Sequence, residues 1–440
     1  AFYSGLVSFT PERAGAGHAL WAKVLIAGLL LLVPTTLMGG TYPALVRHAT
    51  DRLRHEGRTA SQLYAVNALG AVAGALVMAF ALMPVLGMRL SLVVLALANG
   101  LVAAGALLLA RWDHPPAEER PASDGIDALV PAPPLARRQV RIALLLILVE
   151  GFLAFTLEIA WTRYFSVVLG SSTYSIALVL AAFLSGIPLG SAWLSRSEAA
   201  LRRPLWFFGW TQVLAGLSVL APLALYPHLP WLLLNLGTLF SDQSSAFFLY
   251  EGCQLLVCFL VMLPPTVLIG MALPLLVKGL ARDLARLGGD TGRVYAWNTW
   301  GNVAGALLAG LVLLPALGME HLLRGAALGS GALGFVAIGL FSPKGRATWI
   351  RMGAAAALLV VGYFTAGPWR TEAFALRPSR RVERPLSLRE AEARLATYRT
   401  RLFEDDPAGL LMVHAIGTVH GTEVPPSGET LILSMNGKPE

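Results

Sequence analysis

Polar and ionisable residues inside long apolar runs are the ones whose placement in this chain could do chemistry. Glu150, Glu158 and Arg163 share one run, the last two within Leu157-Glu-Ile-Ala-Trp161-Thr-Arg163. Glu251 and Gln254 lie near the start of another run, and Tyr174 opens a third. A charge held in a bilayer costs at least ~2.5 kcal/mol, so such residues pair with each other or serve a substrate or ion path. Two readings stand open. The carboxylates form a cation or proton site, or Glu158 and Arg163 neutralise one another as a structural pair near the interface.

A second set is marked by duplication. Residues 64–74 read Tyr-Ala-Val-Asn-Ala-Leu-Gly-Ala-Val-Ala-Gly, and residues 295–305 read Tyr-Ala-Trp-Asn-Thr-Trp-Gly-Asn-Val-Ala-Gly. The offset of 231 holds without a gap from Pro34/Pro265 to Met88/Met319, with about 23 of 55 aligned positions identical. Tyr64, Asn67, Tyr295 and Asn298 recur, while Asn302 belongs to the second copy alone. An Asn amide hydrogen-bonds across helices, a Tyr ring sits at the membrane interface, and Gly70/Gly74 and Gly301/Gly305 form faces that admit a neighbouring helix closely. Packing is one role for these residues. Substrate contact is the other, because transporter sites lie between repeats, often at broken helices such as Pro34/Pro43 and Pro264/Pro265/Pro274 would make.

Soluble-enzyme signatures are missing: there is no G-x-G-x-x-G after a strand, no G-x-x-x-x-G-K-[ST], no H-E-x-x-H and no C-x-x-C-H. No catalytic, cofactor-binding or metal-ligating residue is therefore assigned. His414 and His420, in a strand-rich tail, read as solvated or hydrogen-bonded imidazoles. Cys253 and Cys258, five apart in an apolar run, read as small buried residues.

The elements that must position these residues are membrane helices. Of 440 residues, 56% are hydrophobic and 14% charged, with mean hydropathy +0.64, against about 25% charged in soluble domains. The net charge of +8 comes from basic residues in short loops between apolar runs, as in cytoplasmic loops of membrane proteins, and not from a nucleic-acid surface. The fold class expected is an all-α polytopic membrane protein, a duplicated bundle of parallel repeats in the major-facilitator manner with about nine to ten transmembrane helices, and a small α+β tail.

The division expected runs as follows. Residues 1–110 form a first repeat with spans at 21–46, 64–84 and 88–110, the first broken by its prolines. Residues 111–138 form a polar, proline-rich linker. Residues 139–342 form the second repeat, with spans at 141–160, 174–194, 204–226, 248–277, 294–314 and 321–341. Residues 343–369 add one apolar helix, and 370–440 open a soluble domain. Because three helices of the second half have no partner in the first, equal halves would place roughly 90 residues ahead of Ala1. Loops 47–63, 195–203 and 278–293 are basic and read as cytoplasmic, whereas 227–247 reads as an outer loop with a single acid. If 349–367 crosses, the tail emerges opposite the basic loops, while the arginines from Arg370 to Arg401 favour the basic side. In the tail, Ser387-Leu-Arg-Glu390 is a capping box opening a helix to about Arg401. Strands follow at 410–416 and 430–434, and the chain stops partway round an Asn436-Gly437 hairpin signal.

Together these residues resemble a bacterial family that fuses a major-facilitator-like helical region to a spermidine-synthase-like domain. The likeness rests on Leu157-Glu-x-x-Trp-x-Arg163, on Gly170-Ser-Ser-x-Tyr174 leading into Gly186-x-x-x-Gly190, on Gly-x-x-x-Pro before a basic loop, on both Tyr-x-x-Asn-x-x-Gly-x-x-x-Gly segments and on Leu431-Ile-Leu-Ser-Met-Asn-Gly-Lys438. It implies a multi-pass protein of the bacterial inner membrane, linked to polyamine synthesis or transport, with the lipid bilayer, other membrane subunits and polyamine as partners and no nucleic acid. Decarboxylated S-adenosylmethionine would be a cofactor only of the synthase domain that follows in that family. The 440 residues themselves are expected to have no aminopropyl-transfer activity. The alternative role is a non-catalytic accessory subunit of a larger membrane complex.

Overall fold

Glycine marks the sharp turns of this chain, at Gly87, Gly170 and Gly318, and long apolar runs supply what lies between them. The structure, a computed structural model, describes the chain except for residues 1–15, 51–55, 113–135, 241–245, 282–285, 343–344, 366, 370, 376–386, 397, 407–408, 417–429, 436–437 and 440. The linker residues 113–135, His420 and the Asn436-Gly437 turn thus lie outside the described residues.

The first half contributes α1 (Ala16–Ala49), α2 (Glu56–Val77) and α3 (Met83–Trp112). The second contributes α4 (Arg137–Val168), α5 (Thr173–Arg196), α6 (Pro204–Leu220), α7 (Leu229–Phe240), α8 (Phe247–Ile269), α9 (Ala272–Leu280), α10 (Leu287–Leu308) and α11 (Leu314–Phe341). Helix α12 (Arg346–Thr365) follows, then α13 (Leu388–Ala396) and strands β1 (Tyr398–Asp406), β2 (Gly409–Ile416), β3 (Thr430–Met435) and β4 (Lys438–Pro439). Eight continuous helical stretches among the described residues are long and apolar enough to cross a membrane. This is a multi-pass membrane architecture.

Two of those stretches, Arg58–Arg111 and Leu287–Phe341, are 54 and 55 residues long, more than twice the ~20 residues that one crossing needs. Each contains a π-helical turn, Met78–Leu82 in the first and Ala309–Leu313 in the second. Each then passes through a left-handed glycine, Gly87 at φ 69° and Gly318 at φ 73°. These irregularities recur at the offset of 231 seen in the sequence, so the duplication extends to backbone conformation. Only glycine adopts such a φ without strain. At Gly318 the chain reverses, since Gly305 before it and Gly329 after it both lie against Phe152 and Leu153, adjacent residues of α4.

The two halves meet in a reciprocal way. Helix α2 packs on α5, while α1 touches α10 and α2 touches α9, contacts that exchange when the repeats are exchanged. The main core lies in the second half around α4, where Leu157, Trp161, Tyr164 and Phe165 are fully buried. The basic segments gather at one end. Arg47 lies beside Gly288, and Arg58 Nε donates to Ser195 O at 3.1 Å.

Several expectations need correction. Helix α1 is not broken: it runs continuously through Pro34 and Pro43. Thr35 and Thr36 hydroxyls donate back to the carbonyls of Leu31 and Leu32 at 2.6 Å, so each is satisfied within the helix beside the proline. In the second copy the break falls at Gly270–Met271, where Gly270 lies against the backbone of Ile187. Residues 227–247 are not simply a loop, because α7 occupies 229–240, with Pro230 in its first turn where a missing N–H is harmless.

The tail attaches at the end opposite the basic loops. Helix α12 leaves the basic end at Arg346, and its far end is capped by Arg324, which donates to Tyr363 O at 2.6 Å and Gly367 O at 2.9 Å. The arginines after Trp369 therefore do not draw the tail to the basic side. Trp369 stacks on Tyr226 (4.9 Å, 19° between planes), and Tyr164 packs against both rings. The capping box is present, with Ser387 N–H donating to Glu390 Oε2 at 2.8 Å and Glu390 N–H to Ser387 Oγ at 3.3 Å. Helix α13 nevertheless ends at Ala396, short of Arg401, because β1 begins at Tyr398 and pairs antiparallel with β2. The sheet order is β1-β2-β3-β4, and β3 pairs with β4 across Met435↔Lys438. A cysteine placed at Ser387 and one placed at Ser342 should react with a membrane-impermeant maleimide from opposite sides of oriented vesicles. Labelling of both from the same side contradicts this path of α12.

Candidate polar site between the two halves

Glu150 lies nine residues along α4 from Arg141, a rise of about 14 Å at 1.5 Å per residue, well inside the apolar layer. It is 4% exposed. The neighbouring residue, Gly151, makes room for its partners: a Cβ there would meet the side chains of Asn298 and Asn302 and the carbonyl of Asn298. Across the seam, a Cβ at Gly301 would collide with Leu148 O and one at Gly305 with Phe152 O. Three glycines thus bring α4 and α10 to backbone contact, the use of small residues expected between membrane helices.

At that depth Asn298 Nδ2 donates to Glu150 Oε2 at 3.0 Å. Asn302, with its amide nitrogen facing acceptors, donates to Asn298 O at 3.1 Å and Gly151 O at 3.2 Å. That orientation is preferred over the alternative, which offers only a 3.4 Å contact to Asn298 Oδ1. The aromatic wall comes from both halves. Tyr42 of α1 lies 5.6 Å from Tyr64 and 5.7 Å from Tyr295, the repeat-related pair, and its hydroxyl donates to Ala60 O at 3.1 Å. Tyr295 lies one turn before Asn298 on α10, so the rings border the amides. One carboxylate, two amides and three phenol rings therefore converge where the halves meet. Such a set can hold a cation: the carboxylate supplies charge, and rings supply their negative faces.

The chain matches no family model, no curated protein and no solved structure. Its chemistry therefore has to be read from these positions alone.

The other candidates do not join this cluster. Glu158 and Arg163 do not pair with each other, because five residues on one helix set side chains about 140° apart. The expectation of that pair is corrected. Arg163 makes other interactions, and Glu158 remains half-buried farther along α4. Tyr174 belongs to an aromatic seam between the halves, 5.1 Å from Phe80 and 5.3 Å from Phe247. On α8, Glu251 Oε2 and Gln254 Oε1 are shielded and without a hydrogen-bond partner among the described residues. Asn67 does not mirror Asn298. It is exposed on α2 with Gly70 and Gly74, and no atom lies within 4 Å of a Cβ built on either glycine. Close helix approach therefore holds for Gly301/Gly305 only, since no described helix covers the equivalent face of α2.

Two contributors had escaped the sequence reading. Tyr42 has Leu273 as its repeat equivalent, so duplication did not mark it. Gly151 stood outside both repeated segments, and its only signal was its place beside an intramembrane acid. A third arrangement, the buried pair of Glu320 and Arg324 at 2.7 Å, was hidden because the span was expected to begin at 321, leaving Glu320 in the turn.

Proposed function

We propose that the membrane region works as a transporter-like body whose central residue is Glu150, binding a proton or a protonated amine between two major-facilitator-like repeats. The observation that carries this reading is the contrast between two buried acids. Glu320 has a guanidinium at 2.7 Å, the arrangement of a structural ion pair. Glu150 has the neutral Asn298 amide as its polar partner and no cation among the described residues. A carboxylate kept in the apolar layer without a fixed counter-charge takes one from what it binds. Tyr42, Tyr64 and Tyr295 suit an organic ammonium as the cation, and the resemblance noted above makes polyamines the class to try first.

The same resemblance makes the terminal sheet the opening of a spermidine-synthase-like domain. Its attachment opposite the basic loops weighs against a role in cytosolic aminopropyl transfer, because basic loops face the cytoplasm. The accessory-subunit reading keeps one observation in its favour, the uncovered Asn67, Gly70 and Gly74 face of α2.

The test is uptake of radiolabelled putrescine and spermidine, and proton flux under an imposed pH gradient, in vesicles holding the purified full chain. Glu150→Gln should lower flux at least tenfold, and Asn298→Leu should weaken apparent affinity more than it lowers the maximal rate. Wild-type vesicles no more permeable than empty ones, or Glu150→Gln vesicles matching wild type, would sink the reading.

A further inference from the structure

A cavity of about 720 Å³ opens between α2 and α5 at the basic end of the bundle, and none of the residues of the Glu150 cluster lines it. Its walls change character along its length. Arg58, Gln62, Ser195 and Arg196 line one part, and Val66 and Leu69 line the other. Val66 and Leu69 are 68% and 55% exposed, so the apolar part is open to the bilayer.

The two arginines are held in place, and neither has a counter-ion among the described residues. Arg58 reaches from the first half to the second, its Nε donating to Ser195 O at 3.1 Å. That bond uses one donor and orients the planar guanidinium, leaving its two terminal nitrogens without a hydrogen bond among the described residues. Arg196 makes one long contact, Nη1 to Ala192 O at 3.4 Å. The acid nearest Arg196 in sequence, Glu198, pairs with Arg202 at 3.6 Å. Neither Arg58 nor Arg196 has a carboxylate partner among the described residues. Two guanidinium forks facing one cavity match a phosphate ester, because each offers paired N–H donors to phosphate oxygens.

We propose that this cavity binds the headgroup of an anionic phospholipid, with Arg58 and Arg196 on the phosphate and an acyl chain along Val66 and Leu69. The position agrees with the chemistry. Basic loops mark the cytoplasmic end, and pockets between membrane helices on that side take acidic headgroups. Because α2 belongs to the first half and α5 to the second, a lipid bound here bridges the two and its occupancy biases how they sit together.

The experiment is native mass spectrometry of the full chain in detergent, titrated with phosphatidylglycerol, with phosphatidylcholine of the same chains, and with inorganic phosphate. Phosphatidylglycerol adducts should form at least tenfold more readily than phosphatidylcholine adducts. The Arg58→Gln/Arg196→Gln double variant should lose that preference, and Arg138→Gln, outside the cavity, should keep it. Val66→Trp, which fills the apolar part and leaves both arginines in place, should weaken phosphatidylglycerol binding as well. It also serves should the double variant not fold, which a melting curve in detergent reveals. Equal binding of the two lipids, or retention of the preference by the double variant, overturns the site. Inorganic phosphate that competes away phosphatidylglycerol at comparable concentration, with Val66→Trp unaffected, overturns the lipid as its occupant.

Discussion

Gly301→Leu is expected to cost the bundle about 3 kcal/mol, whereas Gly70→Leu, at the equivalent position of the first repeat, should cost under about 0.5 kcal/mol. The two glycines occupy the same place in the repeated motif and differ in what they face. A Cβ at Gly301 would strike the carbonyl of Leu148, and backbone cannot turn aside as a side chain can. Nothing lies within 4 Å of a Cβ on Gly70. Forcing α10 off α4 would also pull Asn298 from Glu150, so Gly301→Leu should abolish any flux that depends on that acid. Thermal melting of both variants in detergent, each against wild type, measures the difference. Equal sensitivity at the two positions contradicts the packing described for α10.

Arg324→Met should destabilise the fold by roughly 3–5 kcal/mol, the usual consequence of leaving one member of a buried ion pair unpaired. Glu320, 15% exposed at its side chain, would lose the guanidinium beside it. The carbonyls of Tyr363 and Gly367 would lose their guanidinium donor, and the N–H of Trp369, held by Glu320 Oε2 at 2.9 Å, would lose an oriented acceptor. The tail should loosen before the bundle does. Limited proteolysis just beyond α12 is therefore expected to speed up at temperatures where the membrane core still resists. Removing the acid as well, in Glu320→Gln/Arg324→Met, should recover part of the loss, since neighbouring groups couple non-additively. A double variant no better than the single one would mean that the arginine acts by capping α12 and not by neutralising Glu320.

What could be read in the sequence depended on how local the physical cause was. The membrane class and the duplication were legible, because each follows from apolar runs and from glycine and proline at fixed offsets. Gly87 and Gly318 show why such positions persist: both need a left-handed backbone that other residues enter at a cost. Partners across helices were not legible. Glu150 could be flagged as a buried acid, but that its partner is Asn298, 148 positions on, depends on glycine contacts between α4 and α10 that no periodicity encodes. The proposed Glu158–Arg163 pair failed for a simple reason: proximity in sequence was taken for proximity in space, and five residues is the wrong spacing on a helix. Residues 398–401 went the same way. Arginines and alternating side chains suited a helix end or a strand equally, and pairing with 409–416 decided for the strand.

The left-handed glycine that closes each double-length helix also governs how the protein is made. With only a short turn between the arms, the leading arm emerges from the ribosome with a second, largely apolar arm directly behind it. The charges beside the turn are few, Arg89 in the first pair and Glu320, His321 and Arg324 in the second. Each pair, 58–111 and 287–341, is therefore expected to enter the bilayer as a folded hairpin, with the smallest residue in the genetic code at its tip.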